Sequence, residues 1–288
     1  MKNTSIFKSG FAVLIGRSNV GKSTLLNSLV GTKVAITTPK AQTTRRPIQG
    51  IIHKPQGQII FVDTPGIFKQ SRDQLSKKLF SYVKESLKDI DVVVYVVDPT
   101  RDIGAEEKYI LDLVKHLGTK KIFVINKMDE KQKPYLEFYR EMGRSFENVI
   151  ELSAKTRENL NLLLETIFND LPEGEPFYPE GQFTSLRHEE WLAELVREKL
   201  FLRLRQEVPY SVHVVVDETQ TRENGTVYIK ARVLTTDDRY KSMIIGKGGR
   251  GIKEIGQSTR KELETVMQQS VFLDLSVEVN PHWVEQFL

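Results

Sequence analysis

The sequence predicts two joined domains, a doubly wound α/β domain followed by a smaller α+β one. Three observations carry that reading. Short apolar runs alternate with helical patterns as far as Asp170. A stretch rich in proline and glycine, Asp170–Gln182, then interrupts the chain. Beyond it the order changes to helix, strand, strand, helix, glycine loop, helix, strand. At 288 residues there is enough chain for two separate cores. The boundaries expected are residues 1–172 and 187–288, with a linker over 173–186.

In the first domain, "FAVLIG", "IIFVDT", "DVVVYVVD", "KIFVINK" and "VIELSA" are short, β-branched and unbroken. Strands buried on both faces of a parallel sheet read this way. Helical patterns lie between and after them, around Lys22–Val30, Ser76–Leu87, Glu106–Leu117, Tyr135–Arg144 and Leu160–Phe168. Ligands of such a fold bind at the carboxyl ends of the strands, so binding motifs belong just after each run. In the second domain, "HEEWLAELVREKLFLRLRQ" is a helix, with Trp191, Leu195 and Leu202 expected on one apolar stripe. "YSVHVVVDE" and "TVYIKARVL" are strands around an Asn224-Gly225 turn. A short helix, a glycine loop, a helix over Gly251–Gln268 and the strand "VFLDLSVEV" complete the order.

Composition removes several classes. The longest apolar run, Val92–Val97, is far below the roughly 20 residues of a membrane helix. Met1–Gly10 has lysines but no apolar stretch, so a secretory signal is not expected. The absence of cysteine excludes disulfides and thiolate metal sites. His53, His116, His188, His213 and His282 lack ligand spacing. The net charge is +4: up to Glu180 there are 27 basic and 22 acidic residues, and from Gly181 onward 15 and 16. Within that later part, Arg239–Lys261 carries seven basic residues and Glu254 alone on the acidic side. A solvated helix face is the ordinary reading of such a run, but this one wraps a glycine loop, which points to a phosphate-bearing partner.

Gly16-Arg17-Ser18-Asn19-Val20-Gly21-Lys22-Ser23 fits the phosphate-loop pattern and sits between a strand and a helix. Its amides would curl around phosphates, and Thr24 continues into the helix N-terminus. Lys22 would reach the β- and γ-phosphates, and Ser23 would ligate Mg²⁺. After the next motif strand, Asp63 would hold Mg²⁺ through water and the Gly66 amide would sense the γ-phosphate. Between the two lies "AQTTRRP", a polar stretch suited to a switch. Thr43 or Thr44, with Thr44 favoured, would cap the metal. Asn126-Lys127-Met128-Asp129 selects guanine, because Asp129 accepts from the ring N–H and exocyclic amine while an adenine lone pair is repelled. Asn126 would bond the base edge and the loop, and the Lys127 stem would cover the ring. In Ser153-Ala154-Lys155 the Ala154 N–H would reach the guanine carbonyl. The site therefore takes GTP and releases GDP.

The second loop, Gly246-Lys247-Gly248-Gly249, joins two helices in the form G-x-x-G, and neither serine nor threonine follows its lysine. Bare backbone there can approach a sugar-phosphate chain, with Lys247, Arg250 and Lys253 supplying charge. Met243, Ile244, Ile245 and Ile252 would floor a groove for splayed bases or pack in the core. The element order around this loop is that of a type II KH domain.

A phosphate-loop GTPase domain reading "GRSNVGKS", "TTRR", "DTPG", "NKMD" and "SAK", joined to a KH module with "IIGKGGRGIKEIG", resembles the Era family of bacterial GTPases. "LRHEEWLAELVREKLF" and "VPYSV" are similar to the same family, so the resemblance runs from Phe11 almost to the end. It implies binding to the 3′ region of small-subunit ribosomal RNA and a role in assembling that subunit. It also implies a monomer in the cytoplasm, with peripheral association at the inner membrane in some members. Where a glutamine orients water in some GTPases, this chain has Ile67, so slow intrinsic hydrolysis is expected. Arg45 and Arg46 are candidate fingers in cis. Relatives with an asparagine at the position of Asn19 imply a potassium ion beside the phosphates.

Overall fold

In a computed structural model, the described residues are 6–38, 40, 44, 47–65, 85, 89–204 and 208–287. Thr43, Arg45, Arg46, Gly66 and Ile67 lie outside them, as does nearly all of the helix expected over 76–87. The chain divides into two compact units, one of Met1–Ala35 with Thr44–Ser185, the other of Ile36–Thr43 with Leu186–Leu288.

The first unit is built on β1 (Lys8–Ile15), β2 (Ile48–Lys54), β3 (Gly57–Asp63), β4 (Val92–Val97), β5 (Lys120–Ile125) and β6 (Asn148–Glu151). Its helices are α1 (Lys22–Val30), α2 (Ala105–Lys115), α3 (Leu136–Gly143) and α4 (Leu160–Asp170). The strands run in the order β2-β3-β1-β4-β5-β6, and all but β2 are parallel. The antiparallel β2 is an addition to the sequence reading: "IQGIIHK" is interrupted by Gly50 and ends in polar residues, so no periodicity marks it. Every residue of β3 and β4 is buried, as their unbroken apolar runs require. Register fixes the functional edge. Leu14 pairs with Asp63, Ile15 with Tyr95, Val97 with Ile125 and Ile125 with Glu151. The residues that follow these strands therefore gather at one end of the sheet. The stretch expected as a linker makes contacts with this unit: the Phe177 and Tyr178 amides donate to Gln58 and Gly50 bridges Thr184, while just before it the Ser9 N–H donates to Pro172 O.

The second unit contains α5 (His188–Arg203), β7 (Val212–Thr221), β8 (Val227–Thr235), α6 (Asp238–Ile245), α7 (Arg250–Met267), β9 (Val271–Val279) and α8 (Trp283–Phe287). Its sheet runs β7-β8-β9, with β7 and β8 antiparallel and β8 and β9 parallel. Val196, Leu200, Val233, Ile244 and Ile255 fill one core cluster, and Trp191, Leu195, Ile229 and Leu263 another. Leu202 corrects the expected stripe, because it is 51% exposed. The buried arc of α5 advances around the helix from Trp191 and Leu195 to Val196 and Leu200, leaving Leu202 on the opposite side from Leu200 by the last turn. The terminal α8 has no counterpart in the sequence reading. It is held by Trp283, which is buried, stacks on His213 and donates from Nε1 to Ser211 O. Two residues far away in sequence also belong here: the Thr37 N–H donates to Glu198, and Lys40 donates to the Phe201 and Leu204 carbonyls. Those carbonyls end α5, where a cation is favoured.

Candidate functional site

The turn from β1 into α1 is shaped by close approaches. A Cβ on Gly16 would sit 2.3 Å from Val96 O, and one on Gly21 would sit 2.4 Å from Asn126 Nδ2. Gly21 also has φ 100°, in the region that favours glycine. Lys22, at the first position of α1, is buried and donates from Nζ to Gly16 O at 3.1 Å and Arg17 O at 3.0 Å. Burial pushes its ammonium down to about 8, against the attraction of Asp63 and Glu107. A cation so poorly solvated is placed to gain from an incoming phosphate.

Asp63, at the end of β3, is fully buried, and burial pushes its carboxyl up despite Lys22 and two hydroxyl donors. Ser23 Oγ donates to its Oδ2 at 2.6 Å and Thr44 Oγ1 at 3.2 Å, while the two hydroxyls lie 3.2 Å apart. Its Oδ1 is buried with no hydrogen-bond partner. A hard divalent cation takes such a set of oxygens, so the residues fit Mg²⁺. Thr44 is thus brought to Ser23 and Asp63.

The base-reading residues converge from β5 and β6. Ser153 Oγ donates to Asp129 Oδ1 at 2.6 Å, and Lys155 stands 3.5 Å from Oδ2. Burial raises the Asp129 carboxyl, but the Ser153 hydroxyl, a backbone hydrogen bond and Lys155 outweigh it and hold it below its ordinary value. It is therefore ionised, an acceptor only, as recognition of guanine's two N–H groups needs. Lys127 Nζ donates to Asn19 O at 2.9 Å and to Asp98 at 2.6 Å, which stretches its stem across the mouth of the site. Asn126 is buried; its Nδ2 donates to Val20 O at 2.9 Å, and its Oδ1 accepts from the Ala154 N–H at 3.0 Å. Asn126 thus ties both the phosphate loop and the Ala154 amide to the base motif.

Arg17 lines the loop with its backbone only, because its side chain turns inward to Glu106, Glu107 and the Asp102 carbonyl. Glu107 is buried, and burial raises its carboxyl even though Tyr95 and Tyr139 both donate to it. Sequence reasoning missed Glu107, Asp98 and Arg101. Asp98 ends "DVVVYVVD" at the functional edge, so its position after a strand was the available signal.

In the second unit the turn Gly246–Gly249 stands free of close neighbours at Gly248 and Gly249. Gly248 and Gly249 have φ 61° and 76°, and the Gly249 N–H closes the turn onto Gly246 O at 3.1 Å. Lys247, Arg250 and Lys253 are exposed, and no ion pair among the described residues engages them. Glu254, the acidic exception in this run, pairs with Arg203 at 2.5 Å. Ile244 is corrected from a groove floor to core, being fully buried; Ile245 and Ile252 are partly buried against that core, and Met243 is 44% exposed.

Fold and site together define a guanine-nucleotide-binding GTPase carrying an appended KH unit. Comparison with known proteins agrees. A family model described as a 50S ribosome-binding GTPase matches residues 11–127, and one for the KH domain matches 207–284. The chain is 42% identical to the GTPase Era of Halothermothrix orenii over 285 residues, covering 97% of this chain and 96% of that one. It is 40% identical to the GTPase Era of Heliobacterium modesticaldum, with 96% and 93% covered. A crystal structure of Era with MgGDPNP and nucleotides 1506–1542 of 16S ribosomal RNA superposes with a TM-score of 0.89 at 37% identity, covering 96% of this chain and 95% of that one. An Aquifex aeolicus Era variant bound to GDP and AlF4⁻ gives the same TM-score and identity. The chain belongs to the Era family of GTPases. Its activity is hydrolysis of GTP to GDP and phosphate.

Proposed function

We propose that this GTPase clamps the 3′ region of small-subunit ribosomal RNA and couples its nucleotide state to assembly of that subunit. The observation that carries the reading is the exposed, basic Gly246–Gly249 turn in the same chain as a phosphate loop and a guanine-reading motif. The solved Era that holds 16S nucleotides supports the choice of RNA. The 50S description belongs to a model covering only residues 11–127, a part shared by many GTPases, so it does not decide the subunit. In this reading residues 1–172 bind GTP, 187–288 bind RNA, and the protein works as a cytoplasmic monomer. Peripheral contact with the inner membrane is a further expectation carried by family likeness alone.

Ser23, Thr44 and Asp63 would hold Mg²⁺, which supplies positive charge to the phosphate oxygens. Lys22 stabilises charge on the β- and γ-phosphates, the amides of Gly16–Thr24 cradle them, and the Gly66 amide senses the third phosphate. Asn126, Lys127, Asp129 and Ser153–Lys155 fix the base. Asn19 is exposed, with φ 66°. We assign it a bound potassium ion, which would take the place of a finger arginine. Turnover is then faster in potassium than in sodium at equal ionic strength, and Asn19→Ala removes most of the difference. Equal rates in the two salts would redirect attention to Arg45 and Arg46.

The RNA reading is tested by sequencing RNA crosslinked to the protein in cells, where enrichment of the 3′ end of small-subunit RNA is expected. RNA affinity measured with GTP and with GDP must differ if the nucleotide switches anything. Equal affinities would leave an RNA-binding protein whose GTPase is uncoupled.

A further inference from the structure

Five consecutive carbonyls of the phosphate loop each accept a side-chain donor. Lys22 serves Gly16 O and Arg17 O, Arg101 Nη1 serves Ser18 O at 2.7 Å, Lys127 serves Asn19 O, and Asn126 serves Val20 O. A trans peptide is planar, with its C=O and the following N–H on opposite sides. Holding Ser18 O toward the loop that carries Arg101 therefore aims the Asn19 N–H the other way, into the cradle. Lys22, Asn126 and Lys127 belong to nucleotide motifs. Arg101 does not.

Arg101 lies in the loop between β4 and α2, and the exchange there is mutual. That loop sends Arg101 to Ser18 O, and the phosphate loop sends Arg17 back to Asp102 O at 2.7 Å and to Glu106 at 3.3 Å. The same loop supplies Asp98, which pairs with Lys127. Its own shape is set by the Arg101 N–H on Asp98 O and by Asp98 capping the Thr100 amide. It forms a backboard behind Arg17–Asn19.

We propose that Arg101 is a positioning residue for GTP hydrolysis, fixing the Ser18–Asn19 peptide so that the Asn19 amide faces the third phosphate. A diphosphate seated at the α1 N-terminus is held mainly by Lys22 and the amides that follow Gly21. The Ser18–Asn19 peptide lies three residues earlier, at the end of the loop where the transferred group must sit. Loss of Arg101 therefore affects turnover more than diphosphate binding.

The test uses the full-length protein and the variants Arg101→Ala and Arg101→Lys, with GDP affinity, KM and kcat measured for each. Misplacement of one cradle peptide lowers kcat by between about tenfold and about a hundredfold in Arg101→Ala. GDP affinity stays within about threefold. Since Arg101 spends one N–H on Ser18 O, lysine can replace it, and Arg101→Lys recovers most of the loss. An Arg101→Ala protein that folds and turns over within twofold of the parent (roughly 0.4 kcal/mol) would overturn the proposal. So would equal losses of GDP affinity and kcat/KM at constant kcat, which mark general loop support, or an Arg101→Lys variant as slow as Arg101→Ala.

Discussion

The two glycine loops reach the same backbone freedom for opposite reasons. In Gly16–Ser23 the glycines are needed because protein crowds the loop: Cβ atoms on Gly16 and Gly21 would press within 2.4 Å of Val96 and Asn126. In Gly246–Gly249 nothing stands within 4 Å of a Cβ on Gly248 or Gly249. The first loop is braced from behind and encloses a ligand smaller than itself. The second is left bare, so that a large partner can approach from solvent. In the function proposed, a phosphate bound by the first would be surrounded by fixed amides, whereas one bound by the second would meet the long Lys247, Arg250 and Lys253 side chains.

The largest expected effect breaks this comparison on the nucleotide side alone. Asp129→Asn removes two charge-assisted acceptors, each worth about 1.5–3 kcal/mol, so GTP affinity falls by about a hundredfold or more. XTP, whose carbonyl replaces the guanine amine, should recover much of the loss in competition binding. RNA affinity of the nucleotide-free protein should not change. Retained guanine preference would remove Asp129 from its role.

Gly248→Asp breaks the other side. Asp tolerates a positive φ better than most residues, and there is open space around it, so the fold survives. A carboxylate now faces phosphate, and RNA affinity should drop by about tenfold, while GTP affinity stays within a few-fold. Unchanged RNA affinity in the folded variant would reduce the loop to a plain turn. Ionic strength sharpens the same contrast in the parent. Each phosphate neutralised on a single strand should contribute a slope of roughly −0.7 in log affinity against log salt. A flat response would exclude a charge-driven interface around Lys247, Arg250 and Lys253.

Much of this architecture is legible in the chain because strand ends carry the chemistry. Gly16, Asn126 and Ser153 each follow a strand and Asp63 ends one, and parallel register brings them to one edge without further information. What stays hidden depends on who bonds to whom across the fold. "TR" at Thr100-Arg101 has no pattern that predicts an arginine aimed at Ser18 O, and Glu107 reads as one more solvent-facing helix carboxylate. Ile244 and Ile245 are adjacent apolar residues on a short helix; only packing decides that one is fully buried and the other partly buried. The Thr37 and Lys40 contacts with α5 are equally invisible, since 161 residues separate Thr37 from Glu198.

The smallest effect separates the platforms beneath the two loops by their response to acid. On the second unit's sheet, Arg232 donates to Asp217 at 2.7 and 2.8 Å and to Glu278 at 2.8 Å. These side chains are 33%, 26% and 49% exposed, so the cluster is worth only about 0.5–1 kcal/mol. The Arg232 guanidinium holds the Asp217 carboxyl below its ordinary 3.8. The unfolded state then binds the proton more tightly, so this contribution is complete above about pH 4 and fades as pH falls through the lowered value. In the first unit the sign is opposite. Burial raises Glu107 above its ordinary 4.5, and acid relieves that cost instead of adding one. Acidification should therefore loosen the second unit's sheet while easing the buried charge behind the phosphate loop. The chain's two tryptophans, Trp191 and Trp283, both lie in the second unit, so their fluorescence follows that unit alone. Urea unfolding read this way should show Asp217→Asn less stable than the parent at pH 7, with the difference shrinking as pH falls below about 4. A difference that persists undiminished at pH 3 would mean that Asp217 acts there by packing, with its charge irrelevant.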